Sequence, residues 1–373
     1  MRIIINMSNR LGGGSFQVAV SFAMDLLSRQ DGNSYYFVCN REVLRTLAQL
    51  GAAVNGPRFF YVSNRFYALL HVQLGRLEKK VHPDLVFTLF GPAYWRPRTK
   101  HLVGFANPYY LDMRGPFLKR LSPSEILMLK LKRALHTALM RHEADAIVTE
   151  TEYCTKGYLR LFKGVEKGFT VGNTYSQFFS SYIGRPKRSH TEFTVVTVCK
   201  YYRHKNLEVI NDVIGCLRRM DVHDVDFIVT MDKRNYERIF GKNEYIMNAG
   251  ALAPQMCPEI YPKADAMLLP SLAECFSASY PEAMIMKTPI ITSDLPFAHS
   301  ICADAAVYVD TLNPQAVANA ILMLKNSAEL RSRLIENGLS RVSGFGSSKD
   351  RTRKYIECCR QLYGDSSARP SAL

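Results

Sequence analysis

Apolar residues fall in short unbroken runs along most of the chain, each followed by a polar or glycine-bearing turn and then by apolar positions three and four apart. Unbroken runs read as strands buried on both faces, and the three-and-four spacing reads as helices. In the first half the candidate strands are 2–7, 34–39, 58–62, 84–90, 101–106, 146–150 and 169–172, with helical stretches such as 16–29 and 65–80 between them. The rhythm breaks at the polar, Gly- and Pro-containing stretch 180–190. It restarts at 193–199 and continues through 226–231, 245–249, 266–270, 289–294 and 306–309. Strands alternating with helices imply mostly parallel sheets covered on both faces. A length of 373 residues suits two domains better than one core. The expectation is α/β: two doubly wound, Rossmann-like domains, 1–180 and 191–346, facing each other across a cleft lined by strand C-terminal ends. A closing helical segment, 347–373, ends in a polar tail after Gly364 that is expected to lack fixed structure.

Composition narrows the class. Hydrophobic residues make up 47% of the chain and no apolar run approaches the ~20 residues that span a bilayer. The chain opens directly on a strand pattern, without the architecture of a signal peptide. Nine cysteines show no paired spacing and no Cys-x-x-Cys, which reads as reduced thiols of a cytosolic protein. Charge is uneven. Residues 1–184 carry 24 Lys/Arg against 12 Asp/Glu, a net +12, and the remainder nets +3. Such asymmetry points to an anionic partner of the first half, nucleic acid or a membrane leaflet. Neither interleaved aromatic platforms nor a nucleic-acid reading module is evident, so nucleic acid is the weaker candidate.

The most informative segment is Pro270-Ser-Leu-Ala-Glu-Cys-Phe-Ser-Ala-Ser-Tyr-Pro-Glu-Ala-Met284. Glu274 falls on a loop after a short buried strand, and Glu282 about a turn into a helix expected over 279–287. The helix N-terminus near Ser277 and Ala278 lies between them. Two carboxylates accept hydrogen bonds from hydroxyls, and a helix N-terminus favours a phosphate. A nucleotide sugar carries both groups, although two glutamates eight apart also arise by chance. The stretch after the first strand of the second half, Lys200-Tyr-Tyr-Arg203-His-Lys205-Asn206, reads either as a solvated loop or as cations facing the same phosphates. Three glycines at the first βα turn, with Gly13 and Gly14 foremost and Gln17 following, read as a tight turn or as a close approach to ligand. Asp224-x-Asp226 spells a metal motif of another fold, but it leads directly into a strand, and no cofactor or metal is expected.

Together these segments resemble glycosyltransferase family 4, the retaining enzymes of the GT-B fold, over nearly the whole second half and through the glycine loop of the first. The resemblance implies that Glu274 contacts the donor sugar and Glu282 the ribose. Lys200 stands where members usually carry an Arg, and Lys205-Asn206 matches the Lys-Asn or Lys-Gly that neutralises the diphosphate. Arg203 can share that role, since Lys lacks the bidentate fork. Gly250 resembles the glycine turn beside the base, Phe276 the aromatic of the donor segment, and Tyr261 and Asp265 a structural pair. Asn173 matches an Asn ahead of the hinge. Many members place a His at the strand end where this chain has Asn107. The final helix is expected to cross back onto the first domain, as in GT-B enzymes. The stretch 292–310 looks most like bacterial polysaccharide-assembly members, several of them mannosyltransferases.

The first domain should then hold a glycan or lipid-linked acceptor. Its helical segment 124–141, expected to begin at an N-cap Ser124, is surrounded by Lys119, Arg120, Lys130, Lys132, Arg133 and Arg141. It reads either as a core-facing helix with a solvated basic side or as a face resting on anionic headgroups. The functional expectation is transfer of a sugar from a nucleotide-diphosphate donor to a lipid-linked or surface-polysaccharide acceptor, at the inner face of a membrane. A GT-B epimerase is the alternative.

Overall fold

The structure, a computed structural model, describes residues 1–63, 67–186 and 191–367. The chain divides into two units: one of Met1–Leu111, Ser122–Gly172 and the segment from Ser348, the other of Asp112–Leu121 and Asn173–Ser347.

The first unit holds strands β1 (Arg2–Met7), β2 (Ser34–Cys39), β3 (Phe59–Tyr61), β4 (Leu85–Thr88), β5 (Lys100–Gly104), β6 (Ala146–Thr149) and β7 (Lys167–Thr170). Helices α1 (Gly14–Leu27), α2 (Arg41–Gln49), α3 (Tyr67–Val81), α4 (Pro123–Glu143) and α5 (Glu152–Leu161) connect them. The sheet is parallel in the order β3-β2-β1-β4-β5-β6-β7. β1 shows why its sequence is continuously apolar. Ile3 and Ile5 enter one core with Phe22 and Leu26 of α1, while Ile4 enters the opposite core with Leu70 and Leu74 of α3. Burial of each such side chain contributes roughly 1.5–3 kcal/mol.

The second unit holds β8 (Phe193–Thr197), β9 (Val225–Val229), β10 (Ile246–Asn248), β11 (Ala266–Leu269), β12 (Ile290–Ser293) and β13 (Ala306–Val309). Its helices are α6 (Val209–Arg219), α7 (Lys233–Ile239), α8 (Ser279–Ile285), α9 (Pro296–Cys302), α10 (Pro314–Asn326) and α11 (Ala328–Ser343). The sheet order is β10-β9-β8-β11-β12-β13, again parallel. In both sheets the order reverses at one point, between β1 and β4 and between β8 and β11. Chain leaving the carboxyl ends of two strands at such a reversal diverges and leaves a crevice where ligands bind.

The last helix, α12 (Ser348–Ser367), belongs to the first unit: Tyr355 packs edge-on to Phe22 at 5.3 Å, and Ile356, Cys359 and Leu362 are buried in the same core. It runs past Gly364, where a loose tail was expected; residues 368–373 lie outside the described residues. Three further details differ from the sequence reading. The division falls between Gly172 and Asn173, ahead of the polar stretch, because the buried Asn173 and Thr174 join the second unit, Thr174 Oγ1 donating to the Gly346 carbonyl at 2.6 Å. Residues 187–190 of that stretch lie outside the described residues. The cap of α4 is Ser122, not Ser124: Pro123 takes the first helical position and Ser122 and Glu125 form a reciprocal capping box. Asp112–Leu121, expected with the first domain, groups with the second unit.

Candidate functional site

The connections leaving β8 and β11 start side by side, and the second unit brings its two most informative segments together there. After β8 the chain makes a 3₁₀ turn over Arg203–Lys205 and ends it at Asn206 in the left-handed region (φ 54°). Few residues other than Gly and Asn take that conformation readily, which gives a backbone reason for Asn after the lysine. Asn206 is locked by donating to the Thr311 carbonyl at 2.9 Å.

The turn presents Lys205, 7% exposed, to Glu274, also 7% exposed, with Nζ 2.5 Å from Oε1 and 3.5 Å from Ser277 Oγ. Burial pulls the Lys205 ammonium down, but the Glu274 charge and its hydrogen bond outweigh it, so the group sits above its ordinary value. His204 Nε2 lies 3.9 Å from the same carboxylate oxygen. Burial holds that imidazole neutral, pushing its pKa down to about 4. The His204 carbonyl accepts from the Leu272 amide at 2.7 Å, tying the two loops directly. Ser279 Oγ, at the start of α8, donates to the Val198 carbonyl at 2.6 Å. Ala278 precedes α8 with no side-chain cap, so the first amides of the helix take no side-chain oxygen there.

Glu282 lies one turn into α8. Burial pushes its carboxyl up to about 7, and the hydroxyl of the fully buried Tyr261 donates to Oε2 at 3.3 Å. Tyr261, read from sequence as structural, thus touches a candidate ligand residue; an isolated Tyr 21 positions upstream gives no local signal of that. Asp265 does serve the backbone, accepting from the Thr194 amide at 2.9 Å.

Other candidates make contacts of their own. Lys200 is exposed, its ammonium 5.7 Å from the Tyr202 ring centroid. Arg203 donates to the Arg120 carbonyl, and Arg120 Nη2 donates to Asn206 Oδ1 at 2.5 Å. Arg120 and Lys119 therefore belong to a 3₁₀ turn of the second unit and not to the basic side of α4. Phe117 of the same turn meets His204 edge-on at 6.1 Å. Phe276 packs edge-on against Phe345 at 5.9 Å. Gly250 follows β10 with φ 82°, so its backbone demands glycine; its amide donates to Asn248 Oδ1 at 3.0 Å. Asp224 is paired with Lys325 at 2.6 Å, and among the described residues no group of three or more His, Cys, Asp or Glu is placed to hold a metal.

In the first unit, Gly13 caps α1 at φ 56°, a conformation that favours glycine, whereas a Cβ on Gly14 would meet nothing within 4 Å. Gly14→Ala should therefore fold normally and gain a little from helix propensity, about 0.5–1 kcal/mol. If the turn approaches ligand, KM for donor or acceptor rises at least severalfold while Tm holds or increases. Unchanged kinetics would make it only a tight turn. Gln17 is exposed on the same helix. Asn107 ends the stretch after β5, and its Oδ1 caps its own 3₁₀ turn by accepting from the Tyr109 amide at 3.3 Å. His101 is buried with both ring nitrogens bonded, to Thr88 Oγ1 and the Glu143 carbonyl, as a packing residue.

Residues 192–327, which contain Lys200, Arg203, Lys205, Glu274 and Glu282, match the family described as "Glycosyl transferases group 1". Among characterised proteins, the O-antigen chain mannosyltransferase RfbU of Salmonella typhimurium is 34% identical over 74 residues, 20% of this chain and 21% of that protein. The match thus spans about a fifth of either chain. Among solved structures, the Anabaena protein HepE in complex with UDP-glucose superposes with a TM-score of 0.70 at 12% identity, covering 97% of this chain and all of the other. A putative UDP-N-acetylglucosamine 2-epimerase from Listeria monocytogenes superposes with a TM-score of 0.62 at 12% identity, over 98% and 97% of the two chains. At such identities the likeness is one of fold: two Rossmann-like α/β units of the GT-B kind.

Proposed function

We propose that this chain is a retaining, metal-independent hexosyltransferase of the family 4 type. Its donor is a nucleotide-diphosphate sugar, GDP-mannose or a UDP-sugar. Its acceptor is a lipid-linked or surface-polysaccharide glycan met by a cytoplasmic, peripheral protein at the inner face of the membrane. The observation that carries the reading is the buried Lys205–Glu274 pair at the order reversal of the second sheet, inside the segment that matches group 1 glycosyltransferases. A cation at that position is suited to the charge that develops on a departing diphosphate, with Lys200 and Arg203 as further cations on the same connection. Glu274 accepts from sugar hydroxyls, and Glu282, Ser277, Ala278, Phe276 and Gly250 complete the donor residues. Gly13, Gly14 and Asn107, in the first unit, are proposed as further ligand-contacting residues.

In the proposed step the bond from the sugar's anomeric carbon to the phosphate oxygen breaks and the acceptor hydroxyl bonds to that carbon on the same face. The hydroxyl proton passes to the departing phosphate, and no protein nucleophile is needed. The reading is tested by release of nucleoside diphosphate. Release that requires acceptor, and persists in excess EDTA, is expected. Release, or sugar isomerisation, without any acceptor would instead favour the epimerase reading suggested by the Listeria likeness. Loss of activity in EDTA with recovery on adding Mg²⁺ would overturn metal independence and return attention to Asp224 and Asp226.

A further inference from the structure

α4 turns an apolar stripe outward. Leu127, Leu131 and Leu135, one helical turn apart, are 59%, 58% and 54% exposed, and Met128 beside them is 53% exposed. Most large hydrophobics of the chain are buried, so four exposed on nine consecutive positions form a patch and not the scatter of single residues that any surface carries. The helix is nevertheless firmly oriented. Its opposite side is tied down by Arg133 Nε donating to the Tyr110 carbonyl, by His136 bonded to the hydroxyls of Tyr94 and Tyr110, and by the buried Met140 and Glu143. Arg133, expected on the basic outer face, is therefore half-buried and structural.

Lys130 and Lys132 are exposed, and at ~100° per residue they lie on either side of the stripe. Arg141 is exposed as well and lies on the Lys130 side. From Ile126 to His142 the sequence contains no Asp or Glu. An apolar strip between cations, with Glu125 of the first turn as the one acid beside it on the helix and engaged in the capping box, complements one kind of surface: hydrocarbon just beneath anionic headgroups. A second copy of the same face fits less well, because pairing two such faces would bring lysines together with only Glu125, engaged in its own capping box, to offset them.

We infer that α4 is an interfacial helix that inserts Leu127, Met128, Leu131 and Leu135 into an anionic bilayer surface while Lys130 and Lys132 meet the headgroups. The inference deepens the proposed function, since it places a lipid-linked acceptor within reach of the first unit. Its test uses no turnover, so the two can fail separately. Wild-type protein should cosediment with phosphatidylcholine vesicles containing phosphatidylglycerol, and not with phosphatidylcholine alone. Raising salt from about 0.1 M should weaken binding without abolishing it, because screening acts on the lysines and not on the apolar contact.

Leu127→Ser/Leu131→Ser/Leu135→Ser should lower vesicle affinity by on the order of 100-fold or more. Lys130→Glu/Lys132→Glu should lower it by at least about 30-fold, one kilocalorie or so per lost cation. Both sets lie on the exposed side, so Tm and binding of UDP or GDP should stay at wild-type values. Trp95 is buried, so Leu131→Trp adds a second indole whose emission should shift blue and be quenched by brominated acyl chains. Equal vesicle binding by the serine variant would overturn insertion. So would wild-type protein that ignores anionic vesicles and instead forms a dimer which the serine variant dissolves. If vesicles bind and nucleotides do not, the surface stands and the transferase reading falls.

Discussion

Lys205→Ala should lower turnover by on the order of 100-fold or more, as expected when one preorganised charge is lost from the position that receives developing negative charge. The same substitution should also destabilise the second unit, and the two effects have to be separated. Lys205 and Glu274 are both nearly excluded from solvent and 2.5 Å apart. Removing one partner of a buried pair leaves the other uncompensated and costs about 3–5 kcal/mol. For a unit of this size that lowers Tm by roughly 10 °C. Lys205 sits above its ordinary value of 10.5, so its contribution is complete at neutral pH and fades as pH rises through that raised value. The double substitution Lys205→Met/Glu274→Leu removes both charges together, which is often nearly neutral for folding. Its Tm should recover most of the loss, while donor binding and turnover stay low. If turnover recovers along with Tm, the pair is structural and the site lies elsewhere.

The strands were legible because parallel sheets bury both faces. β1, β2 and β13 coincide with their apolar runs, and the other ten end one or two residues short of them. The Glu274 and Glu282 segment was legible because strand, loop and helix are contiguous in sequence. What periodicity could not tell is which side of a helix the rest of the protein covers. α4 carries apolar residues on several sides with cations between them, so its pattern fits a core helix and an interfacial one equally, and only the exposure of Leu127, Leu131 and Leu135 separates them. Long-range contacts were equally invisible. Arg120 and Asn206 are 86 positions apart, and nothing local in Pro116–Arg120 announces that the turn joins the second unit. The same holds for Tyr261 and Glu282.

Glu282 should show opposite effects on stability and on binding. Burial raises its carboxyl to about 7 from an ordinary 4.5, so the folded unit favours the protonated form. That stability is present in full below about 4.5 and is lost as pH rises toward 7, an effect of about 3 kcal/mol at most. Glu282→Gln removes the titrating group and leaves the Tyr261 hydroxyl an amide oxygen to donate to. Above pH 7 the ligand-free variant should therefore melt a few degrees higher than wild type. Donor binding should move the other way. Ribose hydroxyls donate, so they prefer the ionised carboxylate, and hydrogen bonds to a charged group are worth about 1.5–3 kcal/mol. Glu282→Ala should weaken donor affinity by roughly 10- to 100-fold. Wild-type affinity should climb between about pH 6 and 7 and level off above, with protons released on binding in the lower range and calorimetric heats that depend on the buffer. An intact nucleotide-diphosphate sugar is the right probe, because its phosphates are diesters and, unlike a terminal phosphate, do not titrate near pH 6. The Gln variant should bind weakly and with no step in pH. A group that merely packs the unit would show neither the proton release nor the gain in Tm with lost affinity. Wild-type binding that is flat across this range, with Glu282→Ala binding equally well, would remove Glu282 from the donor site and leave its contact with Tyr261 as packing.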